Sequence, residues 1–150
     1  MHATTEASTE PETSHGFREL YRGELTAARG WDDLARLWAR VRERDGWYVY
    51  ALAESTPHTP ATAADLDRFL TELDALLRDE HDEPYCGIVY ADDLESPNLV
   101  KVYDPGNLGK VCGYSTEPIP PGWVLSRVPP EPLAGQSTGR RRRWWQRLFG

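Results

Sequence analysis

The side chains best spaced for chemistry lie in VYDPGNLGKVCGY, residues 102–114, where Asp104, Asn107, Lys110 and Cys112 follow one another at short steps. An aspartate can orient a reacting group, and a lysine or cysteine can attack one once its surroundings lower its pKa. The same run holds Gly106, Gly109 and Gly113, which raises the question of a phosphate cradle. A phosphate-binding loop needs four residues between its first glycine and a Gly-Lys pair, then Ser or Thr. Here two residues separate Gly106 from Gly109-Lys110, and Val111 follows. The phosphate reading fails, and Asp104-Pro105-Gly106-Asn107 reads as turn chemistry.

No other reaction motif is present. Ser115 in GYSTE does not complete the G-x-S-x-G of a nucleophile elbow, since Glu117 stands where the second glycine belongs. Cys86 and Cys112 form no C-x-x-C pair, and with His58 or His81 they match no zinc spacing, so neither metal nor cofactor is expected. The spacing leaves open whether the two thiols pair. Cys86 alternates with Ile88 and Tyr90, which predicts a small hydrophobe facing the core. The acids of residues 81–85 and 91–95, with Asp104, lack the alternation of a calcium loop and read as solvated loops or a surface for a basic partner.

The densest chemistry is at the C-terminus, RRRRWWQRLFG, residues 140–150. Arg140, Arg141, Arg142, Arg143 and Arg147 surround Trp144, Trp145, Leu148 and Phe149, with no acid among them. On a helix Trp144 and Leu148 share one side with Trp145 and Phe149, four residues apart in each pair. Tryptophan suits a lipid–water boundary, and each arginine near an anionic surface contributes about 1 kcal/mol. Three uses follow: an anionic membrane surface, a protein partner, or the protein's own acidic body.

That body is strongly charged. Without the five arginines of residues 140–150 the chain carries 12 basic against 24 acidic groups, a balance of −12. Such a body repels phosphate and favours cationic partners, so nucleic acid is disfavoured. The functional expectation is a non-enzymatic accessory or binding protein, with an acidic body for a protein partner and a basic-aromatic tail. Two alternatives stand beside it: a small enzyme with its site in loop 104–121, and an acidic immunity- or inhibitor-type protein. The N-terminus shows no secretory signal and the chain shows no apolar run long enough to span a bilayer, so a cytoplasmic protein is expected, with peripheral contact at the inner membrane face open to its tail.

The elements that must position these groups are legible in outline. Residues 1–15 hold no sizeable apolar residue beyond Met1 and read as a disordered arm. Residues 16–30 predict a short helix or strand at the core edge. In residues 31–44, Trp31, Leu34, Leu37, Trp38 and Val41 recur at helical steps. In residues 46–54, Trp47, Val49 and Ala51 alternate with Tyr48, Tyr50 and Leu52, as in a central strand. Thr62 with Asp65 resembles a capping box opening a second helix, striped by Leu66, Phe69, Leu70, Leu73, Leu76 and Leu77 down to about Arg78. Residues 84–92 and 98–104 predict a hairpin, and residues 122–128 a last strand. The strand–helix–strand step predicts that strands 46–54 and 84–92 run parallel. The result is one α+β domain, residues 16–128: a mixed sheet of about four strands with two helices on one face. A Pro/Gly linker, residues 129–139, then frees a flexible tail.

Overall fold

Two amphipathic helices form the main layer, as their apolar stripes require. A computed structural model describes residues 16–107, 119–135 and 138–149, with the side chain of Asn107 outside that set. The arm expected over residues 1–15 lies outside the described residues, as do Lys110 and Cys112. Helix α1 spans Phe17–Arg22 and α2 spans Trp31–Arg42. Asp33 closes the start of α2 by accepting a 2.9 Å hydrogen bond from the Gly30 N–H. Helix α3 spans Ala63–Glu80, and Thr62 accepts from the Asp65 N–H at 3.1 Å, the N-cap that the sequence indicates. Leu34, Leu37, Trp38 and Val41 of α2, and Leu66, Phe69, Leu70, Leu73 and Leu77 of α3, are buried. Full burial of each such side chain stabilises the fold by about 1.5–3 kcal/mol before ordering costs.

Among the described residues the sheet beneath has five strands: β1 (Thr26–Ala27), β2 (Tyr48–Ala51), β3 (Val89–Ala91), β4 (Leu99–Val102) and β5 (Trp123–Ser126). Their order is β1-β3-β4-β5-β2, and every neighbouring pair is antiparallel. The α+β expectation holds, with one strand more than anticipated. The expected mixed sheet, with its parallel pair of strands, does not occur. Strands β3, β4 and β5 form an antiparallel meander, and β2 adds antiparallel to the free side of β5. Three successive reversals therefore set β2 and β3 in opposite directions. The right-handed crossover rule constrains only parallel strands and has nothing to act on here. Residues 81–87 join α3 to β3 along Ala28 and Arg29, through bonds from the Cys86 and Gly87 N–H groups. The chain turns there at Gly87, whose φ of +70° favours glycine.

The alternation along β2 is as read. Trp47, Val49 and Ala51 join the core beneath α2 and α3, while Tyr50 and Leu52 join a second cluster with Phe17, Leu99 and Val124. Helix α1 covers that second face. Cys86 is buried in the first core, as expected, but the alternation behind that reading breaks: Ile88 and Val89 are both buried there, and Tyr90 is not.

Among the described residues neither the free linker nor the flexible tail is found. Val128 and Leu133 pack on the second cluster, and the Leu133 N–H donates to the Tyr50 hydroxyl at 2.8 Å. Gly135 lies so close to Leu52 that a Cβ there would stand 2.5 Å from the Leu52 Cβ. Residues Gly139–Phe149 form helix α4, seated on α3 beside α2's layer. The cause is chemical: a body with surplus carboxylates supplies the anions that this arginine-rich segment lacks.

Candidate functional site

Helix α4 is held by an apolar contact and an ionic one, on the same face. Leu148 is buried, and the half-buried rings of Trp144, Trp145 and Phe149 surround Phe69 of α3 at centroid distances of 6.2, 6.1 and 6.2 Å. Trp144 also meets Trp123 of β5 edge-on at 5.6 Å. Offset and edge-to-face ring pairs of this kind contribute about 0.5–1.5 kcal/mol each beyond their area. At the helix end, the Arg68 guanidinium donates to the Leu148 carbonyl at 3.0 Å.

The ionic contact centres on Arg141, whose side chain is only 7% exposed. Its Nε and Nη2 donate to the two Asp104 oxygens, each at 2.8 Å. Its Nη2 and Nη1 donate to Glu80 at 2.7 and 3.0 Å. Asp104 also accepts from the Gly106 N–H at 2.8 Å. One guanidinium thus forks onto two carboxylates from different elements. The hydrogen bonds from Arg141 hold the Glu80 carboxyl below the usual glutamate range, against the opposing effect of burial. The bonds to Asp104, then those to Glu80, push the arginine further toward its charged form. Helix α4 has no acid in its own first turn, where the helix dipole favours negative charge. Glu80 and Asp104 supply that charge from outside. Arg140 shares Glu80, and Arg142 reaches Glu54 at 3.9 Å.

The two candidate sites of the sequence therefore meet. Asp104, the first residue of the loop site, is the anchor for Arg141 of the tail site. Asn107 ends a single 3-10 turn, Pro105–Asn107, beside it. The loop acids that read as solvated or as a partner surface are in part spent on the chain itself. Asp92 accepts from the Asn98 and Leu99 N–H groups, and Asp93 from those of Glu95 and Ser96, so both close the β3–β4 connection. Among the described residues no three His, Cys, Asp or Glu side chains gather to hold a metal ion. Burial pushes the Cys86 thiol up, away from a reactive thiolate.

The outer face of α4 carries the exposed Arg140, Arg142, Arg143 and Arg147. Between α3 and α4 runs an open cleft of about 390 Å³. Glu72 and Asp79 stand on its α3 wall and Arg143 and Arg147 on its α4 wall, with Leu76 and Trp144 contributing apolar surface. Among the described residues none of these four charges is paired, in contrast to Arg140, Arg141 and Arg142. The sequence marks none of Glu72, Leu76 and Asp79 as a site residue; Leu76 reads only as part of the apolar stripe of α3, yet it lines the cleft beside the two acids. No protein-family model, curated protein or solved structure matches the chain. Among the described residues no helix is long and apolar enough to cross a membrane.

Proposed function

We propose that the protein is a non-enzymatic binding module that takes a segment of a protein partner in the cleft between α3 and α4. The observation that carries this reading is the set of four unpaired charges across that cleft, acids on one wall and arginines on the other. Charges that do not close on each other are available to a partner of mixed charge. The fitting occupant sets an acid against Arg143 and Arg147, a base against Glu72 and Asp79, and an apolar side chain against Leu76 and Trp144. Electrostatic complementarity of this kind speeds association and selects the partner more than it adds raw affinity.

A membrane fits less well. The tryptophans that would enter the lipid boundary face Phe69 and Trp123, and the acids beside the arginine wall repel anionic headgroups. The test compares proteins captured from a lysate by the full chain with those captured by Arg143→Glu/Arg147→Glu and by Glu72→Arg/Asp79→Arg. The reading expects a partner that binds the wild type, fades as salt rises, and is lost with both variants. Capture that is indifferent to both reversals would overturn it. So would wild-type protein sedimenting with phosphatidylserine vesicles while no partner shows the double dependence.

A further inference from the structure

The second face of the sheet carries a group that the cleft does not use. The chain has two lysines, Lys101 and Lys110, against 15 arginines. Lys101 lies on β4, directly opposite Tyr90 of β3. Tyr103 stands two residues on and meets Tyr90 edge-on at 5.8 Å. From α1, Tyr21 places its ring 3.9 Å from the Lys101 Nζ. The amine is half-buried among three tyrosines. Among the described residues no carboxylate pairs with it and no acceptor takes its hydrogen bond; its one polar contact is the Tyr21 ring.

An ammonium in such a cup has lost water without gaining an anion. Burial lowers the Lys101 pKa, and the Tyr21 ring face, which favours the ammonium, opposes it without a full anion. The deprotonated fraction is what attacks, and an amine desolvated by aromatic walls supplies more of it at neutral pH.

We propose that Lys101 is an acylation site of this protein, taking an acyl group from an activated donor, an acyl phosphate or an acyl thioester. The nitrogen lone pair attacks the acyl carbon and a C–N bond forms. The C–O bond of the acyl phosphate or the C–S bond of the thioester breaks, and phosphate or thiolate leaves with the electron pair. The proton from nitrogen passes to water. The product amide is neutral, so acylation relieves the desolvated charge and ends the cation–π contact that ties α1 to β4.

The test uses the full chain with acetyl phosphate in one arm and acetyl-coenzyme A in the other. Initial acetylation rates of Lys101 and Lys110 are read by mass spectrometry after cleavage at arginine, first in buffer at pH 8 and then in urea. Lys101 is expected to react faster than Lys110 in the native protein, about threefold or more, with at least one donor. In urea the two rates are expected to converge. A native rate for Lys101 at or below that of Lys110 with both donors would overturn the proposal. So would an equal excess in urea, which would assign the reactivity to local sequence and not to the fold.

Discussion

Replacing Arg141 with methionine keeps most of its buried stem and removes the guanidinium. Asp104, 11% exposed at its side chain, is then left among the described residues with the Gly106 N–H as its bonded donor, and Glu80 with Arg140. Breaking one side of a buried ion pair costs about 3–5 kcal/mol, because the abandoned charge stays desolvated. Glu80 is 20% exposed and retains a cation, so the lower end of that range applies here, about 3 kcal/mol. For a chain of this size that is a fall of about 6–12 °C in melting temperature. Near-ultraviolet circular dichroism is the suitable probe, since Trp123 and Trp144 lie at the contact. A companion variant, Arg141→Met/Asp104→Asn, keeps an acceptor for Gly106 while removing the stranded charge, and is expected to recover more than half of the loss. A loss for Arg141→Met below about 1 kcal/mol, the worth of an exposed pair, would refute the reasoning.

Leu148→Ala is expected to cost about 2–3 kcal/mol, measured by urea unfolding, since the leucine is buried against α3 on the last turn of α4. Gly135→Ala is expected to lower stability by about 1–3 kcal/mol, because the new Cβ meets backbone of Leu52, which cannot rotate away. The Glu80 contribution is present above its ordinary pKa and lost as pH falls through the depressed folded value. Acid titration of tryptophan fluorescence is therefore expected to show loosening of α4 below about pH 4.5 in the wild type. In Glu80→Gln that acid step is expected to shrink.

Much of this architecture was legible because it is local. The stripes of α2 and α3 and the alternation of residues 47–52 follow from helix and strand periods that any short window displays. Strand β1, two residues without a pattern, could not be seen, and the direction of β2 against β3 depends on strand order, which no local signal carries. The tail was misread for an identifiable reason. Its five arginines look alike as a charge run, yet Arg141 stands three, four and seven residues before Trp144, Trp145 and Leu148, on the apolar side of the helix. A lone cation on an apolar stripe demands a buried anion. Its partners, 37 and 61 residues away in sequence, were not identifiable without the fold.

Hydrogen–deuterium exchange of the backbone amides of residues 143–149 in the full chain tests most directly whether α4 is part of the folded body. Protection well above that of an isolated peptide, and lost in Arg141→Met, is the expected result. Exchange at the rate of an unstructured chain in the wild type would contradict it, because eleven residues cannot hold a helix alone in water.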